Sequence, residues 1–256
     1  ESVRETRTFE KPPRAEGTFE ELLERSGATV LAEGTPTNLK TGEPCLTHIR
    51  AALSRGISVT TTNKGPIALA FDELTALAEA HGAQLSYEGV VMSGTPFIDM
   101  MKSGMAGCAA LRVEGIVNGT TNFMLTKMAE GAEYGAALAE AQALGYAEAD
   151  PTGDVEGWDA AVKVSILAKI LFGEDVPVDG VERTGITQIT PAQIEAAKKN
   201  GCAVKLLAGL DASGGRLRAY VEPKEIPLSH PLASINGGTN AITVTTDNLG
   251  DVTLVG

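Results

Sequence analysis

Residues 57–65, ISVTTTNKG, decide the fold, because a β-branched run stops there at an Asn- and Gly-containing turn. Helical patterns closed by glycine lie on both sides of this run, and a further β-rich run lies beyond each of them. The pattern predicts strands at 28–33, 57–62 and 84–91, and helices at 44–55 and 71–81. Strands that alternate with helices of about a dozen residues indicate parallel strands joined by right-handed crossovers.

Polar residues stand where the predicted parallel strands end. In open α/β sheets, ligands bind at the carboxyl ends of the strands. Thr35 follows the first strand, Lys64 follows the second, and Glu88 lies near the end of the third. The sequence therefore indicates these three residues as candidates for ligand binding.

The chain changes character after Gly94, where helical patterns mix with alternating, strand-like runs. A hairpin is predicted because two such runs flank the turn Ala-Ser-Gly-Gly. Predicted strands are 109–116, 204–210, 217–223, 241–246 and 252–255, and predicted helices are 96–103, 123–130, 133–144, 155–172 and 190–200. The expected fold class is α/β, with a partial Rossmann-like parallel sheet and a second, α+β domain.

Composition limits the range of functions. A net charge of −12 over 256 residues argues against nucleic acid or an anionic membrane as the main partner. Cys45, Cys108 and Cys202 lie far apart, as expected for free thiols in a reduced, cytoplasmic protein. The longest apolar run, 164–172, contains a lysine and is too short to cross a bilayer.

Residues 145–163, GYAEADPTGDVEGWDAAVK, combine five carboxylates with one lysine. Asp159 and Lys163 have i,i+4 spacing on a predicted helix. An exposed pair with this spacing is usually a solvated surface feature. This helix is largely apolar, however, and a partly buried lysine can act as a general acid or base. Paired carboxylates also suit the ammonium of an amino-acid substrate, whereas Asp154 is equally suited to cap the helix.

The sequence lacks two common ligand-binding motifs, and two of its histidines are assigned structural roles. No GxGxxG fingerprint follows a strand, and the chain begins too late to include one. The acid-rich loop lacks the DxDxDG start of an EF-hand. His48 is interpreted as a helix residue and His81 as a residue at a helix end.

Five motifs resemble those of the homoserine dehydrogenase family. They are TTTNKGPIAL (60–69), YEGVVMSGTPF (87–97), EGIVNGTTNFML (114–125), LGYAEADPTGDVEGWDAAVK (144–163) and HPLA (230–233). The resemblance implies reduction of L-aspartate 4-semialdehyde to L-homoserine with NADH or NADPH, in threonine and methionine biosynthesis. It also implies a remnant of the NAD(P)-binding domain at 1–92, a substrate-binding and dimerisation domain at 93–240, and a return towards the nucleotide domain at 241–256.

The resemblance assigns roles to individual residues. Lys163 resembles the proton donor to the substrate carbonyl, Asp159 the residue that holds the substrate and orients this lysine, and Lys64 a lysine that contacts the cofactor and assists catalysis. Glu148 resembles the carboxylate that binds the substrate ammonium and borders the nicotinamide. Further substrate-binding residues implied are Gly119, Thr120 and Tyr146, further cofactor-binding residues are Thr35, Gly145 and Gly256, and a sodium site is implied at Glu88, Val91, Ser93 and Thr95.

The sequence also departs from the family pattern. It reads SGTP at 93–96, where many members have GGIP, and it lacks the glycine-rich segments expected before residue 1 and after Gly256. We therefore expect a chain truncated at both ends that binds dinucleotide poorly or not at all, and that lacks the residues which would choose between NAD and NADP. A homodimer is expected by similarity. The alternatives are a non-catalytic homologue that binds an amino acid, and a dehydrogenase for another small aldehyde.

Overall fold

The computed structural model of the protein describes residues 16–256, so the start of the expected first domain, residues 1–15, lies outside the described residues. Two sheets organise this part of the chain. A parallel three-stranded sheet has the order β1-β2-β3, and a mixed six-stranded sheet has the order β5-β7-β6-β4-β8-β9. The strands are β1 Val30–Glu33, β2 Ser58–Thr61, β3 Leu85–Ser86, β4 Ala110–Ile116, β5 Glu182–Arg183, β6 Cys202–Asp211, β7 Arg218–Pro227, β8 Ala241–Thr246 and β9 Gly250–Val255. This arrangement confirms the expected α/β fold class with a second, α+β domain.

Helices pack on the sheets and carry both candidate catalytic lysines, Lys64 and Lys163. The longer helices are α1 Phe19–Ser26, α2 Cys45–Leu53, α3 Lys64–Ala80, α4 Gly119–Ala129, α5 Tyr134–Ala143, α6 Trp158–Leu167 and α7 Pro191–Lys199. Short helical segments are Gly89–Met92, Phe97–Asp99, Met100–Gly104, Thr152–Val155, Ala168–Phe172 and Val178–Gly180. None of the helices within residues 16–256 combines the length and apolar character needed to cross a membrane.

Two side-chain caps fix where the site-bearing helices begin. The side chain of Asn63 accepts a hydrogen bond from the Gly65 amide, so α3 begins at Lys64. Ala70, with φ −143° and ψ 28°, is not helical and kinks α3, and the part after this kink is the helix that the sequence predicts from residue 71. The side chain of Asn118 accepts from the Thr121 amide and starts α4 at Gly119. Each cap satisfies an amide that the first helical turn leaves free, and each fixes the residues at the start of its helix.

The predicted third strand, 84–91, is wrong beyond its first residues. Only Leu85–Ser86 pairs with β2, and Gly89–Met92 forms a helical turn. Val90, Val91 and Met92 are each only 1% exposed. A strand with one buried face cannot bury three consecutive side chains in this way, whereas a helical turn enclosed by the core can.

The predicted helix 155–172 is divided in the structure. Gly157 has a φ of 79°, which is the left-handed conformation that favours glycine, and it separates Thr152–Val155 from α6. The last turn, Ala168–Phe172, is π-helical. The division places Asp159 in the first turn of α6, where the helix dipole favours a carboxylate.

The last two strands extend the six-stranded sheet. β8 pairs with β4 and β9 pairs with β8, both antiparallel. Residues 241–246 and 250–255 therefore belong to the six-stranded sheet, and the expected return of 241–256 towards the nucleotide domain stays a prediction. Gly256 exchanges two backbone hydrogen bonds with Asn240, at 2.9 and 3.0 Å.

Candidate active site

The helices α3 and α6 bring together residues that lie about a hundred positions apart in the sequence. The Lys64 Nζ lies 3.5 Å from Asp159 Oδ1, and the Lys163 Nζ lies 2.6 Å from Asp159 Oδ2. The predicted i,i+4 pair is therefore a real contact, and it is not a surface feature: the Lys163 side chain is 12% exposed and that of Asp159 is 21% exposed. The structure joins these three predicted residues into one cluster at the boundary between the two domains.

Lys163 is held in one orientation by two acceptors. In addition to the Asp159 carboxylate, its ammonium donates to the Val117 carbonyl at 2.5 Å. Val117 directly follows β4, so the second sheet and α6 fix this ammonium together. A lysine side chain normally has several accessible rotamers, and two bonds to rigid elements remove most of that freedom.

Two opposing effects set the ionisation of Asp159. Burial raises the pKa of its carboxyl, but the charges of Lys163 and Lys64 and a hydrogen bond from Asn118 lower it by more, so that its pKa lies below the ordinary value. Asp159 is consequently an anion at neutral pH and balances part of the charge of both lysines.

The structure adds Asn118, which the sequence reasoning missed, and places Asp154 of the acid-rich stretch in contact with it. Asn118 Nδ2 donates to Asp154 Oδ1 at 2.7 Å and to Asp159 Oδ2 at 3.1 Å. The expected helix-capping role of Asp154 is wrong, because the residue that precedes α6 is Gly157, which supplies no side-chain cap. Burial raises the pKa of Asp154, and the nearby charge of Asp159 adds to that effect. Asn118 followed a predicted strand and preceded Gly119, a signal equal to the one that indicated Lys64.

The start of α4 and the acid-rich loop are connected through Thr120. Its hydroxyl donates to the Tyr146 carbonyl at 2.6 Å. The Tyr146 ring stacks on Phe123 with 4.8 Å between ring centroids. Gly119, Thr120 and Tyr146, which were predicted to line the substrate pocket, are therefore neighbours in the structure.

Gly145 and Glu148 lie on the same loop but on its exposed side. The Gln142 side chain donates to the Glu148 carbonyl at 3.0 Å, which fixes the backbone but leaves the carboxylate free to point elsewhere. No ion pair joins the Glu148 carboxylate to a cation of residues 16–256. The structure does not bring Glu148 into the Asp159 cluster, and its role stays a prediction.

The carboxyl edge of the three-stranded sheet is tied together by Glu33, which was not predicted. Its carboxylate accepts from the Thr35 amide at 2.6 Å and from the Thr61 hydroxyl at 2.8 Å. The Asn63 side chain donates to the Thr35 carbonyl at 3.1 Å. The loops that follow β1 and β2 are thereby held together, with Thr35 on one and Lys64 on the other.

The residues of the expected sodium site form one turn. Both oxygens of the Glu88 carboxylate accept backbone amides, from Ile98 at 2.8 Å and Asp99 at 2.7 Å. Within residues 16–256 no three His, Cys, Asp or Glu residues cluster as a metal site would require. The expected sodium site at Glu88, Val91, Ser93 and Thr95, mostly through main-chain carbonyls, stays a prediction.

The family model for homoserine dehydrogenase matches residues 96–256 of this chain, which include Asp159 and Lys163. An NAD(+)-dependent homoserine dehydrogenase from Pseudomonas canavaninivorans is 46% identical over 238 residues, which are 93% of this chain and 68% of that protein. The chain belongs to the homoserine dehydrogenase family. It spans between 54% and 73% of the length of the curated homoserine dehydrogenases that it matches.

Solved structures agree with this family assignment. A putative homoserine dehydrogenase from Archaeoglobus fulgidus superposes with a TM-score of 0.86 at 39% identity, over 99% of this chain and 75% of that one. A hyperthermophilic archaeal homoserine dehydrogenase mutant in complex with NADPH superposes with a TM-score of 0.79 at 31% identity, over 100% of this chain and 74% of that one. The chain therefore has the fold that its family motifs lead us to expect.

Proposed function

We propose that the protein reduces L-aspartate 4-semialdehyde to L-homoserine with NADH or NADPH. The observation that carries this proposal is the Lys163 ammonium, which Asp159 and the Val117 carbonyl fix at the domain boundary beside Lys64. Reduction of an aldehyde places negative charge on its oxygen. An ammonium held near that oxygen stabilises the charge and delivers the proton.

The neighbouring residues suit the rest of such a substrate. Asp159 balances part of the charge of the two lysines, and Asp154 adds a second carboxylate 2.7 Å from Asn118. Two partly buried carboxylates would favour an ammonium group, which L-aspartate 4-semialdehyde and L-homoserine both carry. Gly119, Thr120 and Tyr146 would form the wall of the pocket, and Glu148 would close it from the exposed side.

The residues at the carboxyl edge of the three-stranded sheet fit a nicotinamide dinucleotide. A Cβ added at Gly34 or Gly145 would meet no atom within 4 Å, so both present bare backbone to open space. Thr35, Lys64 and Gly145 would hold the dinucleotide, and Gly256 would approach it from the second domain. When bound there, the dinucleotide supplies the hydride. One relative is NAD(+)-dependent and one structural neighbour is in complex with NADPH, so both dinucleotides stay within the proposal.

Two finer expectations are part of the proposal. A sodium ion would be held by main-chain carbonyls of the 88–95 turn, and no step of the reaction passes through it. A homodimer would form through the second domain, whose sheet exposes polar residues such as Arg112 and Arg218 on the face opposite the Val113 and Val244 core. The free thiols at Cys45, Cys108 and Cys202 support the expected cytoplasmic location.

A matched pair of lysine variants tests the proposed activity. Lys163→Met is expected to lower turnover of L-homoserine about 10²- to 10⁴-fold, because it removes the general acid–base group. Lys169→Met serves as the control, since Lys169 lies on the following helical turn and pairs instead with Asp72 at 2.6 Å and Asp175 at 3.0 Å. Turnover is followed by nicotinamide absorbance, and L-homoserine binding by calorimetry.

Three outcomes separate the readings. Loss of turnover in Lys163→Met alone, with L-homoserine still bound, supports the proposal. Near-wild-type turnover in Lys163→Met contradicts it. Binding of L-homoserine by the wild type without turnover on either dinucleotide would instead indicate an amino-acid-binding homologue.

A further inference from the structure

A second lysine, Lys205, is buried outside the Asp159 cluster. It lies on β6 and is only 3% exposed. Its ammonium donates to Asn122 Oδ1 at 3.1 Å, to Asn236 Oδ1 at 3.0 Å and to the Ile235 carbonyl. All three acceptors are neutral, and no carboxylate within residues 16–256 pairs with it. Burial lowers the pKa of Lys205 to about 8.

The acceptors of Lys205 belong to the 235–240 loop and to α4. Two more bonds join the same pair of segments: Asn122 Nδ2 donates to the Thr239 carbonyl at 3.0 Å, and the Gly237 amide donates to Thr126 Oγ1 at 3.0 Å. Lys205 lies on a third element, strand β6, and contacts both segments: α4 through Asn122, and the 235–240 loop through Ile235 and Asn236. The loop is thus fastened to the helix that begins at Gly119.

The other side of the 235–240 loop packs against the predicted substrate pocket. A Cβ added at Gly238 would lie 2.5 Å from Cε1 of Tyr146, and one added at Gly119 would lie 2.8 Å from the Gly238 carbonyl oxygen. Such distances leave no room between backbone and ring. A shift of the loop would therefore move the Tyr146 ring, or leave a gap behind it and behind Gly119.

Stability alone does not account for Lys205. A buried cation without a carboxylate partner opposes folding, and an apolar side chain of similar volume would be buried at lower cost. A charged lysine instead offers three donors with charge-assisted bonds, which an apolar residue cannot replace. The arrangement fits a group retained to hold one conformation of the loop.

We propose that Lys205 is a positioning residue for the substrate pocket, which fixes Tyr146 and Gly119 by fastening the 235–240 loop to α4. This inference rests on the proposed function for the identity of the substrate. Lys205 touches neither the Asp159 cluster nor the carboxyl edge of the three-stranded sheet. Its effect should therefore appear in substrate binding and not in dinucleotide binding.

The test compares Lys205→Met with Lys224→Met. Lys224 is the cross-strand partner of Lys205 on β7, but its ammonium contacts Glu114 at 2.9 Å instead of the loop. Lys205→Met is expected to raise the KM for L-homoserine about tenfold or more, the effect of losing charge-assisted bonds, with the KM for the dinucleotide unchanged. Lys224→Met should leave both constants unchanged. Lys205→Gln, which keeps one donor group, replaces Lys205→Met if the latter does not fold.

Hydrogen exchange separates failure of this inference from failure of the proposed function. Faster exchange in the peptides that cover 141–149 and 235–240, in Lys205→Met and not in Lys224→Met, supports the inference even if L-homoserine is not the substrate. Unchanged exchange in those peptides overturns it. An equal rise in both KM values would also overturn it, because that result indicates a general loss of structure.

Discussion

Lys64 and Asp159 meet across the boundary between the two domains, with 3.5 Å between Lys64 Nζ and Asp159 Oδ1. Lys64 is the first residue of α3, and Asp159 is the second residue of α6. The same carboxylate contacts Lys163 at 2.6 Å. The Asp159 carboxylate thus contacts both lysines, and the distance between Lys64 and Lys163 depends on how the two domains pack.

Replacing Asp159 with Asn should lower stability at neutral pH and have less effect in acid. Burial raises the pKa of Asp159, but Lys163 and Lys64 lower it below its unfolded value of 3.8. A carboxyl with a depressed folded pKa contributes stability above the unfolded value, and this contribution is lost as the pH falls through the folded pKa. The difference in free energy of unfolding between wild type and Asp159→Asn, measured by urea denaturation, should be constant above about pH 5 and shrink below pH 4. A difference that grows in acid would contradict this assignment.

Asp154→Asn should weaken substrate binding more than turnover. The variant keeps the shape of the side chain and its proximity to Asn118 but removes the charge, and a hydrogen bond to a charged group is worth about 1.5–3 kcal/mol. The KM for L-homoserine should therefore rise about 10- to 100-fold, while kcat changes less. Asp150→Asn is the control, because Asp150 lies on the same loop and bonds only its neighbour Thr152, at 2.6 and 3.1 Å. Equal effects of the two variants would show that the charge of the loop matters and not the place of Asp154.

Gly209→Ala should destabilise the six-stranded sheet. The Tyr220 ring lies flat across Gly209, and its hydroxyl donates to the buried Glu114. A Cβ at Gly209 would lie 2.5 Å from Tyr220 Cζ and 2.9 Å from the Val113 carbonyl oxygen. Overpacking of this kind costs about 1–3 kcal/mol, and thermal denaturation would measure it. Gly214→Ala, in the hairpin turn where an added Cβ meets nothing within 4 Å, should be close to neutral.

The sequence predicted the local contact of the site and the residue Lys64, but it did not predict the distant contacts that join these residues. Asp159 and Lys163 were found because i,i+4 spacing on a helix determines their proximity. Asn118 was missed because its contacts with Asp154 and Asp159 span 36 and 41 residues, and no periodicity encodes them. Lys205 was missed for a related reason: a single lysine in a strand reads as a surface residue until the loop that covers it is known.

The fold shows the same division between local and tertiary effects. The β6–β7 hairpin was predicted because its turn and its alternation are local signals. The 84–91 strand was predicted wrongly because Val90, Val91 and Met92 resemble a buried strand in composition, and only the enclosing core selects a helical turn.

Ser93→Gly should stabilise the protein by about 1 kcal/mol, because Ser93 has a φ of 54° and a side chain pays roughly 1–2 kcal/mol in that region. Ser93 and Gly94 form the centre of a turn closed by the Thr95 amide and the Met92 carbonyl at 3.0 Å. The ψ of Ser93, −124°, is that of the first central residue of a type II′ turn, a position that favours glycine. Ser86→Gly, in strand β3, should destabilise by contrast. If both variants lower the melting temperature, the turn is not strained by Ser93.

Lys205 should give the protein an alkaline rise in stability. Its pKa is lowered from 10.5 to about 8 by burial, so between these values the unfolded chain holds a proton that the folded chain has released. The free energy of unfolding should then increase with pH across this window, because stability rises wherever the unfolded state binds more protons. The difference between 10.5 and about 8 corresponds to an increase on the order of 3 kcal/mol, most of it reached by about pH 10 and complete only above the unfolded value of 10.5.

Lys205→Met isolates this contribution, since the variant has no proton to release at position 205. The difference in free energy of unfolding between wild type and Lys205→Met, followed by urea denaturation from pH 7 to pH 10, should change in favour of the wild type as the pH rises. For Lys224→Met, the same difference should not change in favour of the wild type as the pH rises. Burial lowers the pKa of Lys224, but the Glu114 carboxylate outweighs this effect and raises it. A pH-independent difference for Lys205→Met would mean that the Lys205 ammonium is as well solvated by Asn122, Asn236 and the Ile235 carbonyl as by water.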